Sequence, residues 1–247
     1  MRYLILSDMH GNAEALAAVL RRLRRKRFDA WLVLGDLVGY GAAPNQVVDD
    51  VRALPGRVLV VRGNHDKVVA GLEDGASFNQ AALASARWTT ERLTAANLRY
   101  VKELPRGPLQ VEEGVAICHG SPLDEDSYLF SAFDAFEVFA TYPARLIFFG
   151  HTHIPSLFVS RGHDVQVAVL RGDNGTLKLE PGRRYLINPG SIGQPRDRDP
   201  RAAYMTYDSA KHVVRWHRVS YPVERAQQRI VKAGLPKVLA DRLALGV

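Results

Sequence analysis

The sequence predicts an α/β fold in which two β-sheets pack face to face with helices on the outside. The first half of the chain alternates strand-like apolar runs with helical patterns, the order that builds a parallel sheet with covering helices. The second half is mostly strand, with short apolar runs separated by Gly, Asp and Asn turn signals. With 247 residues and 47% hydrophobic content, the chain can bury a substantial core, and one domain over 1–247 is expected.

Each element follows from local pattern. A strand over 2–7 precedes a helical pattern over about 12–26, where Ala15, Leu16, Val19, Leu20 and Leu23 fall at helical spacing. A strand over 30–34 and a loop through Gly39-Tyr40-Gly41 lead to a helix over about 44–54, for which Pro44 suits the first turn. A strand over 58–61 is followed by helices over about 67–72 and 79–96. Strands are then predicted over 109–111, 115–119, 146–149, 157–159, 165–170, 184–187, 203–207 and 213–219, interrupted by a helix over roughly 133–141. Gly172-Asp173-Asn174-Gly175 reads as a turn. The tail over about 223–245 carries two helical patterns broken at Gly234-Leu235-Pro236.

Composition narrows the chemistry. No apolar run is long enough to span a membrane, and the N-terminus enters a strand at once without a signal-like segment, so a cytoplasmic location without membrane contact is expected. The single cysteine, Cys118, rules out an internal disulfide and a thiolate cage, leaving His, Asp and Asn as metal ligands. Cys118 itself reads as a buried structural thiol. A net charge of +7 favours anionic partners and permits nucleic acid without demanding it. The densest basic run, Arg21-Arg22-Leu23-Arg24-Arg25-Lys26-Arg27, ends the first predicted helix, where a solvated face complementing the helix dipole is the default.

Five polar clusters close apolar strand-like runs: Asp8-Met9-His10, Gly35-Asp36, Gly63-Asn64-His65-Asp66, His119-Gly120 and Gly150-His151-Thr152-His153. Asp8 and His10 sit two apart at a strand end, where period-two geometry would point both side chains to one side. His151 and His153 repeat the spacing. Asp36 has two oxygens with which to bridge cations, Asn64 offers an amide oxygen and His119 an imidazole. Alone, any of these residues reads as a structural histidine or a turn former; their ordered assembly does not. His163, His212 and His217 fit no cluster and read as surface or strand-packing residues. Neither a G-x-S-x-G elbow nor a Walker A sequence is present.

The ordered clusters resemble the D-x-H, G-D, G-N-H-D/E, H and G-H-x-H blocks of calcineurin-like metallophosphoesterases. The resemblance implies a four-layer αββα sandwich of two mixed β-sheets flanked by helices. It places one metal on Asp8, His10 and His153 and a second on Asn64, His119 and His151, with Asp36 bridging. Two such ions can share an attacking hydroxide and stabilise an in-line displacement at phosphorus. His65 is then the expected general acid, oriented by the adjacent Asp66. The mixed N/O donor set points to two divalent ions, manganese or iron first, with zinc, cobalt or nickel as further fits.

Two segments bear on substrate. Asn188-Pro189-Gly190-Ser191-Ile192-Gly193-Gln194-Pro195-Arg196 resembles the N-P-G-S block of bacterial phosphodiesterase-like members, so Asn188, Gly190, Ser191 and Arg196 are candidate substrate contacts. Arg198 and Arg201 lie nearby, with solvated positions the default for at least two of the three arginines. Gly35-Asp36-Leu37-Val38-Gly39-Tyr40-Gly41 carries Tyr40 where protein phosphatases of the family have a phosphate-gripping arginine. That departure weakens a protein-phosphatase reading, and Tyr40 becomes a candidate contact or a packing residue. A phosphodiester substrate is expected, with a phosphomonoester or a dinucleotide polyphosphate as alternatives and a non-catalytic metal-binding module as the alternative of another class. Oligomeric state is not legible in the sequence.

Overall fold

The computed structural model describes residues 1–162 and 164–247; His163 lies outside the described residues. The strands are β1 (Arg2–Leu6), β2 (Ala30–Val33), β3 (Arg57–Val60), β4 (Leu109–Glu112), β5 (Val115–Ile117), β6 (Leu146–Phe148), β7 (Ser156–Arg161), β8 (Asp164–Val169), β9 (Asn174–Lys178), β10 (Arg184–Asn188), β11 (Ala202–Asp208) and β12 (Val213–Val219). The helices are α1 (Ala13–Leu23), α2 (Pro44–Arg52), α3 (Asn64–Val69), α4 (Gln80–Arg92), α5 (Ala95–Lys102), α6 (Ala132–Thr141), α7 (Val223–Lys232) and α8 (Lys237–Leu245).

Two mixed six-stranded sheets form, in the orders β3-β2-β1-β11-β12-β9 and β4-β5-β6-β10-β7-β8. The predicted parallel unit is there: β1 pairs with β2, and β2 with β3, in parallel. β11 then closes on β1 from the other side, antiparallel, with Leu4 opposite Thr206. Strand β1 shows why the result has four layers. Its side chains alternate between faces, and both faces are apolar. Leu4 and Leu6 pack under the helices with Leu16, Val19, Val47 and Leu239. Tyr3 and Ile5, with Met205 of β11, face the second sheet and pack with its Ile117, Phe148 and Ile187. On the far face of that sheet, Ala135 and Val138 of α6 meet Ile147, Phe149 and Leu186.

Polar side chains set the helix starts. Asn12, Asn79, Thr94 and Ser131 each accept a backbone N–H at the first turn of α1, α4, α5 and α6. Thr94 corrects the predicted 79–96 helix, because Leu93 leaves the helical region at ψ 136° and the cap starts the separate α5. The predicted turn at 172–175 is also corrected. Asn174 and Gly175 open β9, paired with His217 and Trp216 of β12. A Cβ on Gly175 would lie 1.8 Å from the Trp216 ring, so glycine here admits an indole rather than making a turn.

The basic run at the end of α1 is exposed at Arg21, Arg22, Arg24, Arg25, Lys26 and Arg27. Arg2, at the start of β1, donates to the Arg27 carbonyl. The run therefore lies at the amino ends of the parallel strands, whereas the polar clusters lie at their carboxyl ends. Among the described residues no helix is long and apolar enough to cross a membrane.

Candidate metal centre

The donors converge because the backbone leaves the strands in an unusual way. Asp8 (φ 54°), His10 (φ 48°), Asp36 (φ 53°), His151 (φ 66°) and His153 (φ 61°) all adopt left-handed backbone, and Tyr40 does so at 57°. Strand alternation is thus not what aligns Asp8 with His10: β1 ends at Leu6, and the two residues sit in a left-handed turn beyond it. Left-handed backbone costs a non-glycine residue roughly 1–2 kcal/mol, so six such residues need support. Hydrogen bonds between the loops after β1 and β2 supply it for Asp8, His10, Asp36 and Tyr40: Asp8 N to Gly35 O (3.1 Å), His10 N to Asp36 O (2.9 Å), Gly11 N to Leu37 O (2.9 Å) and Gly41 N to His10 O (2.9 Å). Gly63 makes room for the shared carboxylate, since a Cβ there would lie 2.1 Å from Asp36 Oδ1.

Four imidazoles are oriented by the same device. His10 Nδ1 donates to Val38 O (3.1 Å), His119 Nδ1 to Leu34 O (2.7 Å), His153 Nδ1 to Gln194 O (2.6 Å) and His151 Nε2 to Asp126 O (3.0 Å). A carbonyl only accepts, so the nitrogen facing it carries the proton, and the opposite nitrogen of each neutral ring presents a lone pair. Those lone pairs meet. His10 Nε2 lies 3.0 Å from His153 Nε2, and His151 Nδ1 lies 3.1 Å from His119 Nε2. Asp36 Oδ2 is 3.4 Å from both His10 Nε2 and His119 Nε2, Asp8 Oδ1 is 3.4 Å from His153 Nε2, and Asn64 Oδ1 is 3.1 Å from His119 Nε2.

Two donor clusters result, Asp8-His10-Asp36-His153 and Asp36-His119-His151, and within each the donor atoms lie within 4.8 Å of one another. Facing lone pairs repel unless a cation lies between them, which is the fit that divalent ions require. The electrostatics agree. Burial holds His10 and His153 well below their ordinary range and takes His151 down to about 3, keeping all three neutral. Burial also opposes charge on His119, yet the carboxylates of Asp36 and Asp8 raise it to about 10, so at this one ring a proton on Nε2 takes a cation's place beside His151 Nδ1, and the pocket favours positive charge at its centre. Burial pushes Asp8 up to about 7, whereas His119 and His10 overcome it at Asp36 and hold that carboxyl well below its ordinary range.

Residues 1–155 match the pattern of the calcineurin-like phosphoesterases. The chain belongs to that family. It is 37% identical, over 98% of its own length and 97% of the other, to an uncharacterized protein of Methanocaldococcus jannaschii. Among solved structures it is similar to a metallophosphoesterase from Sphaerobacter thermophilus, with 38% identity, a TM-score of 0.84, and 100% and 99% of the two chains covered. A hypothetical protein from Pyrococcus horikoshii OT3 shares the fold at 21% identity and a TM-score of 0.81, over 100% and 98% of the chains.

The remaining candidates of this phosphoesterase separate into cleft and scaffold. Asp36, Asn64, His65, His151 and His153 line an open cleft together with Tyr40, Ser77, Phe78, Asn79, Ala82, Tyr128 and Arg196. His65 is held by the rings of Tyr40 (4.3 Å), Phe78 (4.4 Å) and His10 (4.9 Å), and burial lowers it to about 4. Unlike the four donor imidazoles, it has no carbonyl partner: its Nδ1 is buried without a hydrogen bond. Asp66 does not orient it. The Asp66 carboxylate accepts from Leu37 N and Val38 N with one oxygen and from Gly63 N with the other, so it locks the two ligand loops together.

The N-P-G-S segment is likewise a brace rather than a contact surface. Asn188 Nδ2 donates to Gly150 O (2.6 Å) and Thr152 Oγ1 (3.0 Å), and Ser191 Oγ donates to Asp8 O (2.8 Å). Asn188 and Ser191 are fully buried, and Gly190 N is taken up by Asn188 Oδ1. Of the substrate candidates, Tyr40 and Arg196 reach the cleft. Arg196 Nη2 donates to Tyr40 Oη (3.3 Å) and Gln194 Oε1 (3.2 Å), and its Nε is buried without a partner. Arg201 is consumed by Asp199 and Asp173, and Arg198 is exposed. Tyr128 and Phe78 were not legible as site residues, because each lies in a loop without periodicity.

Proposed function

We propose that this phosphoesterase hydrolyses phosphodiesters with two divalent ions, one held by Asp8, His10 and His153, the other by Asn64, His119 and His151, and Asp36 shared between them. The observation that carries the reading is that the two clusters share one carboxylate and open onto the cleft that also holds His65 and Arg196. When bound, the ions supply Lewis-acid activation of a water nucleophile and neutralise charge on the phosphoryl oxygens. Manganese or iron suits the mixed N/O donors best; zinc, cobalt and nickel also fit.

The chain's own groups do the rest. Arg196 lines the cleft and makes no ion pair among the described residues, so its guanidinium is available to a phosphoryl oxygen. It is the single Lys or Arg lining the cleft, which suits the one negative charge of a diester better than the two of a monoester. His65, lacking a carbonyl partner to fix its proton, delivers that proton to the leaving oxygen after an arriving phosphate anion has favoured its protonation. Tyr40 and Phe78 restrict the ring to one position.

The test is hydrolysis of bis-4-nitrophenyl phosphate beside 4-nitrophenyl phosphate by metal-stripped protein, with manganese restored. Manganese-dependent diester turnover that exceeds monoester turnover is expected. Preference for the monoester would replace this reading with a phosphatase. Inactivity on both, and on a dinucleotide polyphosphate, with two ions bound would favour a non-catalytic module.

A further inference from the structure

Among the described residues, the exposed Phe, Tyr and Trp side chains are Tyr128, Phe130, Phe133 and Phe136, all in one short stretch of chain. Two of them are organised. Tyr128, 45% exposed, stacks on His151 with ring centroids 3.9 Å apart and planes 19° from parallel. Phe130, 57% exposed, stacks on Tyr128 at 5.2 Å and 11°. The rings of His151, Tyr128 and Phe130 thus form a staircase of nearly parallel planes that starts at the second donor cluster and climbs out of the cleft into solvent.

The loop is built to hold those rings outward. Leu129, between them, is 3% exposed and anchors in the core under α6, so its neighbours on both sides project away from that core. Asp126 accepts from His151 through its carbonyl and pairs with buried Lys67 through its carboxylate. A turn at Asp124 and Ser127 closes the base of the loop. Exposed rings cost solvation free energy, and nothing in their packing on one another needs them at the rim of a cleft that binds phosphate esters. A planar partner would use them: every nucleobase has a π-face, and base-on-aromatic stacking does not depend on sequence.

We propose that the Tyr128–Phe130 staircase is a subsite for the base of a nucleotide-type phosphodiester whose phosphate lies at the metal centre. The assignment rests on the phosphodiesterase reading and names its substrate class. Arg196 and the donor clusters hold the phosphate, and the staircase takes the flat group attached to it.

The experiment compares two diesters with the same leaving group, thymidine 5′-(4-nitrophenyl phosphate) and methyl 4-nitrophenyl phosphate, with manganese-loaded protein. Preference for the thymidine ester by roughly tenfold to a hundredfold in kcat/KM is expected, the worth of one stacked base. Phe130→Ala and Tyr128→Leu should bring the ratio towards one, whereas Phe133→Ala, which removes an exposed ring outside the staircase, should keep it. A ratio near one in the unaltered protein would overturn the subsite. So would a ratio retained in both Phe130→Ala and Tyr128→Leu, and dissociation of an oligomer by the same variants in sedimentation would then make the patch a self-association surface. If neither diester is cleaved, the phosphodiesterase reading fails and binding decides the subsite. Thymidine 5′-phosphate held about tenfold tighter than ribose 5-phosphate, with the difference lost in Phe130→Ala, would retain it. Equal affinities would overturn it.

Discussion

The two donor clusters share Asp36 and the same donor chemistry, yet they are founded differently. Asp8, His10, Asp36 and His153 are each at most 1% exposed, and the carbonyls that orient the two imidazoles belong to Val38 and Gln194, in segments each tied by backbone hydrogen bonds to the loop after β1. Tyr40 closes over His10, and Arg196 and Arg242 lie against the Tyr40 ring at 5.9 and 6.0 Å. The other cluster leans on the surface. His151 takes its orientation from Asp126 of the 119–131 loop, and Asn64 is half-buried at the cleft. That loop is fastened by charge: Lys67 to Glu73, Glu125 and Asp126, and Arg62 to Glu125 through two hydrogen bonds. One donor cluster is therefore built into the joined strand ends, while the other depends on an ion-paired loop.

Asp36→Asn is the most severe way to break the contrast, because Asp36 belongs to both halves. It should remove about three orders of magnitude of turnover, the scale of several kcal/mol of transition-state charge stabilisation, and lower metal content at both positions. Rate assays with elemental analysis check this. Loss of one equivalent alone would show that Asp36 does not couple the clusters.

Lys67→Met isolates the ion-paired half. Lys67 is 2% exposed and its ammonium closes on the carboxylates of Glu73 and Asp126, while buried Glu125 keeps Arg62, so removing the ammonium unpairs two half-exposed carboxylates. A stability loss of about 1–2 kcal/mol is expected in denaturant unfolding, the scale of charge-assisted hydrogen bonds lost at a buried ammonium. Metal content should fall by about one equivalent, from the His119–His151 position, as the loop loosens its hold on His151. If both equivalents stay, the loop does not found that cluster. If both leave, the two halves are one cooperative unit.

Legibility in the sequence divides along similar lines. The layers were readable because strand and helix alternate in the first half and short strands fill the second, and the ligand types were readable because each ends an apolar run. What was hidden is backbone and loop. The convergence of Asp8 with His10 comes from left-handed residues, and strand periodicity carries no signal for that conformation. Asp66 looked like a partner of His65 because it is adjacent in sequence, yet its carboxylate turns to Leu37, Val38 and Gly63. Asn188 and Ser191 could be read as touching substrate or as supporting the site, and they face the ligand loops from behind. His217 did pack, against Tyr204 at 4.8 Å, as a strand residue outside the motifs should. Tyr128 and Phe130 had only their aromatic character to mark them, and only the fold places that loop beside His151.

Cys118 sharpens the contrast with the smallest effect. It precedes His119, is fully buried, and its thiol donates to Gly120 O at 3.1 Å; burial pushes its ionisation well above the ordinary thiol range. Thiolate is the reactive form, so a disulfide reagent should label the metal-loaded native protein slowly. Labelling then requires the backbone at His119 to open, and a metal ion on His119 opposes that opening. Stripping the metal should speed labelling by about tenfold, the signature of a local opening made easier by roughly 1.4 kcal/mol. Asp8→Asn weakens the other position and should leave the rate for protein with metal at His119 close to that of the loaded native chain. Equal rates with and without metal would mean that this cluster is as rigidly founded as its neighbour, and the difference between the two halves would then lie in ligand identity alone.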